Sequence, residues 1–204
     1  ADAGRLGTIF AANAREIRRV DASGTVTAGT PLRSFGAPVL LLPLDWDSDF
    51  RTDLLVADSH TVALFLQDAV QAFVPGPTIQ VSAQAAWTAD IDMDGDLDVI
   101  LGLTDGDPVV LRNNGDRTWQ TIRPFAGVPA ARAFSWADVD GDGVPDALFS
   151  DASGHVHLFL NQQAGVFARG AAPAVEGVRG VTVGDINADG VFDVVVLTED
   201  GAIV

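Results

Sequence analysis

A nine-residue acidic segment recurs four times in this chain: "DWDSDFRTD" from Asp45, "DIDMDGDLD" from Asp90, "DVDGDGVPD" from Asp138 and "DINADGVFD" from Asp185. Successive starts are 45, 48 and 47 residues apart, so the fold must repeat with them. Other landmarks keep the same register. An apolar run follows each segment: "LLVA", "VILGL", "ALF" and "VVVL". Gly106, Gly154 or Gly201 then stands sixteen residues after the first Asp, with Thr61 the exception. A second apolar run closes on Asp68, Asn113 or Asn161, and an aromatic follows at Phe73, Trp119 or Phe167. Each unit therefore reads strand, acidic loop, strand, Gly turn, strand, polar turn, strand, which is a four-stranded antiparallel meander.

Helices are a poor alternative. The apolar runs are short, rich in Val and Leu, and bounded by Gly, Asp and Asn. Several are apolar on both faces, as in sheets covered on both sides. Four strands in roughly 40 to 50 residues is the signature of a β-propeller blade. The expected organisation is all-β: a partial blade over 1–38, blades over 39–84, 85–131 and 132–178, and a partial blade over 179–204. "GTIFAAN" and "EIRRVD", ending at Asp21, fit the second and third strands of the first unit. Two incomplete units at the ends indicate a segment of a seven- or eight-bladed propeller, cut or processed from a longer chain that supplies the remaining blades. Closure by oligomerisation is the less favoured alternative.

The composition narrows the partners. Formal net charge is -16, all 12 basic residues are Arg, and among 28 acids only Glu16, Glu176 and Glu199 are not Asp. A surface this acidic does not suit nucleic acid. No stretch approaches the roughly 18 apolar residues of a membrane-spanning helix, so no membrane insertion is expected. The chain has no Cys, which excludes disulfides and leaves the redox compartment unread.

Short carboxylates at alternating positions around a glycine suit a hard cation. Calcium takes several oxygen ligands at flexible geometry, so carboxylates at positions one, three and five, a carbonyl at seven and a returning carboxylate at nine can encircle it. The candidate ligands are Asp90, Asp92, Asp94, Asp96 and Asp98; Asp138, Asp140, Asp142, Val144 and Asp146; Asp185, Asn187, Asp189, Val191 and Asp193; and Asp45, Asp47, Asp49 and Asp53. Asp96, Val144 and Val191 contribute through their carbonyls. Loops 90 and 138 are complete, and loop 185 substitutes Asn187. Loop 45 carries Phe50 where the others carry Gly95, Gly143 or Gly190; if that position requires φ > 0, a bulky residue is strained there. Arg51 beside it can replace part of the cation's charge. An EF-hand is excluded because its position twelve is occupied by Val56, Leu101, Phe149 or Val196. Up to four structural calcium ions are expected, the one at Asp45 doubtful.

The pattern D-x-D-x-D-G-x-x-D followed by an apolar strand and a turn such as "NNGD" resembles the FG-GAP and VCBS repeats of integrin α-subunit propellers and bacterial extracellular proteins. The likeness covers essentially the whole chain. "VPAARAFSWADVDGDGVPDALFSDASGHVHLFLN" is most similar to bacterial VCBS-type proteins, including those with ASPIC/UnbV regions. The resemblance implies an extracellular, cell-surface or periplasmic module in which calcium loops occupy one face and ligands meet the other. That face would be built from turns near His60, residues 105–107, residues 151–154 and Asp200, with connections near Pro75, Phe125 and Pro173. The function expected is non-enzymatic adhesion or recognition of a protein or glycan. The alternative implied is a propeller of a polysaccharide lyase or hydrolase, with His60 and Arg51 converging on a pocket. His155 and His157 share one strand face and lack an evident third metal partner. Trp87 and Trp136, just ahead of two loops, are expected to pack between blades rather than stack on sugars.

Overall fold

The computed structural model describes residues 9–13, 15–20, 24–26, 29–31 and 36–203. Every regular element among them is a β-strand. The chain divides between Ser82 and Ala83 into two compact units.

The first unit holds two antiparallel sheets. β1 (Ile9–Ala12), β2 (Glu16–Val20) and β3 (Thr30–Pro31) pair in chain order. Asp21 lies outside the described residues. β4 (Leu40–Leu44), β5 (Asp53–Ala57), β6 (Thr61–Gln67) and β7 (Phe73–Gln80) form a four-stranded meander. Ile17 packs with Leu54, Val56, Ala63, Phe65 and Phe73, joining the two sheets.

The second unit holds β8 (Ala83–Ala89), β9 (Asp98–Leu103), β10 (Val109–Asn113) and β11 (Trp119–Ile122) in one meander. β12 (Ala133–Ala137), β13 (Asp146–Ser150), β14 (Val156–Asn161) and β15 (Phe167–Arg169) form the next. β16 (Val178–Gly184), β17 (Asp193–Thr198) and β18 (Gly201–Ile203) form a three-stranded sheet.

β13 explains why runs such as "ALF" are apolar on both faces. Alternate side chains leave a strand on opposite sides. Ala147 and Phe149 join a core with Ile91, Ile100, Val110 and Phe159, whereas Leu148 packs with Val156, Val178, Val181 and Val196. Sheets thus stack through both faces of one strand. Trp87 and Trp136 border the first of these cores, with the Trp87 and Phe134 rings 5.8 Å apart, in agreement with a packing role.

The connection near Phe125 meets the turn at 105–107, Val128 N–H donating to Asp107 Oδ1 at 2.8 Å and Ala130 N–H to Gly106 O at 2.9 Å. Phe125 itself points away from that surface: it is fully buried, with ring centroids 4.9 Å from Phe149, 5.2 Å from Phe159 and 4.8 Å from Phe167. The β11–β12 connection turns inward, burying Val128 and Ala131 as well, because an aromatic side chain gains about 2 to 3 kcal/mol by leaving water. Pro75 also departs from expectation, lying inside β7 rather than in a connection.

Candidate metal centre

Each acidic segment joins the first strand of a sheet to the second, and its last Asp is the first residue of that second strand. A fixed hydrogen-bond scheme builds the loop. The first carboxylate folds it by accepting backbone N–H groups four and five residues on: Asp94 at 3.1 Å and Gly95 at 3.0 Å for Asp90. Asp45, Asp138 and Asp185 accept the corresponding pairs. The last carboxylate pins it from behind. Asp98 accepts from Ile91 at 3.0 Å and Asn113 at 2.8 Å; Asp53 accepts from Trp46 and Gln67, and Asp146 from Val139 and Asn161.

Two positions per loop take left-handed backbone. One is the expected glycine site, with φ of 98° at Gly95, 89° at Gly143, 87° at Gly190 and 64° at Phe50. Phe50 therefore bears the strain anticipated for a residue with a β-carbon, its ring almost wholly in solvent. The other lies two residues earlier, at Ser48, Met93, Gly141 and Ala188. Only Gly141 advertises it in the sequence.

Carboxylate oxygens converge in three of the four loops. Ligand atoms of Asp45, Asp47 and Asp53, of Asp90, Asp92 and Asp94, and of Asp138, Asp140 and Asp146 lie within 4.8 Å of one another. Asp98 stands behind its cluster, held by backbone N–H groups. Asp96 packs its carboxylate toward Gly115, where an added Cβ would lie 2.8 Å from Oδ2. Asp142 and Asp49 accept N–H groups of Val144 and Arg51 within their own loops. Asp185, Asn187, Asp189 and Val191 remain exposed and Asp193 half-buried, and among the described residues they form no such cluster. Arg51 pairs with Asp49 and donates Nε to Gln67 O at 3.0 Å, so a cation of the chain's own partly serves loop 45.

The electrostatics are those of crowded acid in a poorly solvated place. Burial pushes the Asp98 carboxyl up to about 7, with Asp92 and Asp94 adding to the rise and the N–H groups of Asn113 and Ile91 opposing it. Burial likewise raises Asp53, Asp92 and Asp146. Asp92 Oδ1 is buried without a hydrogen-bond partner. The Asp94 amide, which donates to Asp90 Oδ1, also lies near the Asp92 carboxylate and favours its charged form, and Arg112 Nη1 stands 3.7 Å from its other oxygen. An orphaned, buried carboxylate oxygen beside two further carboxylates fits a hard cation.

The polar residue closing β10 and β14 supports the loop from the next turn. Asn113 Nδ2 donates to Leu97 O at 3.3 Å and Asn161 Nδ2 to Pro145 O at 3.0 Å.

The histidines belong elsewhere. His157 is buried, with Nε2 2.7 Å from Asp151 Oδ2 and Nδ1 2.5 Å from Arg169 Nη2. Arg can only donate, so Nδ1 accepts and Nε2–H faces Asp151. Both ring nitrogens are thereby used within the fold. Arg169 also donates to Ala126 O at 2.8 Å and lies over the Phe159 ring, fastening the inward connection. His155 is largely exposed, its Nδ1 3.6 Å from Asp151 Oδ2. His60 contacts Ser59 beyond the far end of β5 from Arg51, so the structure does not bring those two together.

The sequence profile of the FG-GAP-like repeat matches residues 45–101, 90–149 and 138–196, each match running from one acidic loop into the second strand of the next sheet. No curated protein matches the chain in sequence. Among solved structures, the chain is similar to an Agrocybe aegerita lectin described as recognising non-reducing terminal N-acetylglucosamine: the TM-score is 0.62 at 18% identity over 97% of this chain and 59% of that one. It is also similar to the Dos1 propeller, with a TM-score of 0.54 at 12% identity over 83% of this chain and 45% of that one. The chain thus spans less than two thirds of either structure. At such identities the likeness establishes the fold, a β-propeller arrangement of four-stranded blades.

Proposed function

The chain belongs to the FG-GAP-like repeat family, and from that membership we propose that it is a calcium-stiffened propeller module that recognises a protein or glycan without turning it over. The observation that carries the calcium reading is Asp92 Oδ1, buried without a hydrogen bond among the converging oxygens of Asp90, Asp92 and Asp94. Calcium there supplies positive charge that offsets the repulsion and desolvation of these acids. Asp45, Asp47 and Asp53, and Asp138, Asp140 and Asp146, hold the second and third ions, while Asp98 and Asn113 brace the first loop from behind. The loop at Asp185 is the fourth, weaker site. With affinities on the order of 0.1 to 1 mM, as in extracellular modules, such loops would fill only in a calcium-rich compartment outside the cytosol.

Recognition is supported by the fold shared with a lectin and by the ends of the blades opposite the acidic loops, where short turns and Arg side chains are exposed. His60 and Arg51 flank opposite ends of β5, so this pair lends no support to a lyase or hydrolase pocket built from that base and that substrate Arg. The test is binding of calcium-loaded protein to a glycan array and to immobilised extracellular proteins, beside turnover assays on uronic-acid polysaccharides. Saturable, calcium-dependent binding without turnover is expected. Turnover abolished by His60→Ala would refute a purely binding role.

A further inference from the structure

Six residues before each first loop Asp stand Val39, Gln84, Arg132 and Arg179. In the second unit this position is polar in all three sheets and lies where the first strand begins, at the end opposite the acidic loop. Gln84 and Arg179 coincide with irregularities in strand register, between Ala83 and Ala85 and between Val178 and Gly180. Bulges of this kind re-aim a side chain out of the regular ladder. Gln84 spends its amide on Leu103 O and Ala131 O at 3.0 and 3.3 Å. Arg132 uses only its backbone N–H, given to Ser150 O at 2.8 Å; among the described residues its guanidinium has no hydrogen-bond or ion-pair partner.

Arg132 and Arg179 line one cleft of about 390 Å³ together with Ser153, Gly154, Gly177 and Glu199. Its floor is backbone: Val178 N–H donates to Gly154 O at 3.0 Å, and a Cβ on Gly154 would come within 2.9 Å of Gly177 Cα. Gly154 thus allows two backbones to approach closely at the floor, and the missing side chain of Gly177 leaves open space beside it. Arg179 and Glu199 face each other as an exposed ion pair on its wall.

We infer that this cleft, resting on the recognition role proposed above, binds a neutral saccharide through a pair of adjacent hydroxyls. Each sugar hydroxyl is both donor and acceptor, and the wall offers both complements: the Arg132 fork, which only donates, and the exposed Arg179–Glu199 pair, in which the second carboxylate oxygen and the remaining guanidinium N–H groups stay open beyond their mutual contact. The volume is within the range of small-molecule sites. An acidic sugar is disfavoured because Glu199 also borders an adjoining hollow with Glu176 and Asp200, and because the chain as a whole carries -16.

The test is amide and Arg Nε–H chemical-shift mapping of the ¹⁵N-labelled, calcium-loaded chain against millimolar N-acetylglucosamine, galactose, mannose and fucose, with glucuronic acid beside them. At least one neutral sugar is expected to shift Ser153, Gly154, Gly177, Arg179 and Glu199 selectively, and Arg132→Gln or Arg179→Gln is expected to weaken its binding at least tenfold. Arg123→Gln is the control expected to bind unchanged. The mapping uses the unaltered chain, so it stands even if a variant folds poorly. Shifts confined to another surface, tighter binding of glucuronic acid than of every neutral sugar, or no shift with any sugar would each overturn the inference. Array or pull-down binding that survives both substitutions would overturn the cleft while leaving the recognition role intact; a blank array and pull-down would remove both.

Discussion

Asp98 Oδ1 accepts the backbone N–H of Asn113 at 2.8 Å, and the Asn113 side chain returns a bond from Nδ2 to Leu97 O at 3.3 Å. Asp146 and Asn161 repeat the arrangement in the next sheet, at 2.9 and 3.0 Å. The acidic loop is thus fastened to the following hairpin by protein groups alone. In the first unit Gln67 holds the equivalent place, its backbone N–H going to Asp53 Oδ1 at 2.7 Å, and Arg51 adds a tie from Nε to Gln67 O at 3.0 Å.

Asn113→Ala removes the donor to Leu97 O and the acceptor for Gly115 N–H. Leaving those groups unpaired is expected to cost about 1 to 3 kcal/mol in urea denaturation, and Asn161→Ala a similar amount. Unchanged midpoints in both variants would show the tie to be dispensable.

Asp98 couples calcium to protons. Its folded pKa, about 7, is raised above the unfolded value, so without the ion the folded state retains a proton that the unfolded state has lost. Stability should therefore fall as pH rises from about 4 to about 7 and level off above. A cation beside Asp92 and Asp94 holds Asp98 ionised, so calcium uptake near pH 7 should release about half a proton from this loop. Calorimetry in buffers of different ionisation enthalpy measures the release, which Asp98→Asn should eliminate.

Phe50 occupies left-handed backbone at φ 64° with its ring 98% exposed. Phe50→Gly is expected to stabilise the protein by roughly 1 kcal/mol, since the strain of such a residue exceeds the entropy cost of glycine. Phe50→Ala keeps the β-carbon and should show no comparable gain in thermal unfolding.

Asp151 gives the opposite pH signature to Asp98. Burial alone would raise its pKa, but hydrogen bonds from His157 and from the His155 and Ser153 amides outweigh that, and the carboxyl lies below the ordinary Asp range. Its contribution is complete above about pH 4 and is lost as pH falls through the depressed folded value. The stability gap between wild type and Asp151→Asn should be about 1 to 3 kcal/mol at neutrality and shrink in acid. A gap that widened on acidification would contradict the network's geometry.

The meanders and acidic loops were legible in the sequence because a single spacing carries both. Asp90 and Asp98 mark the ends of a loop, and Gly106 and Asn113 mark the next two turns at constant offsets. Phe125 was not legible: one aromatic in a connection has no periodicity, and only the space beside Phe149, Phe159 and Phe167 determines that it turns inward. The left-handed position at Met93 was hidden because a residue other than glycine fills it. The Asp151–His157–Arg169 network joins a turn and two strands, and no local motif announces it. Arg132 and Arg179 shared an offset readable from the start, but their common cleft depends on Gly154 approaching Gly177.

The most direct measurement is a calcium titration of the full chain by calorimetry, beside Asp92→Ala. Uptake at the clustered loops is expected, with Asp92→Ala binding about one ion fewer and retaining its fold by circular dichroism. No uptake by the wild type at millimolar calcium, or the same stoichiometry in both proteins, would contradict the assignment of these loops as metal sites.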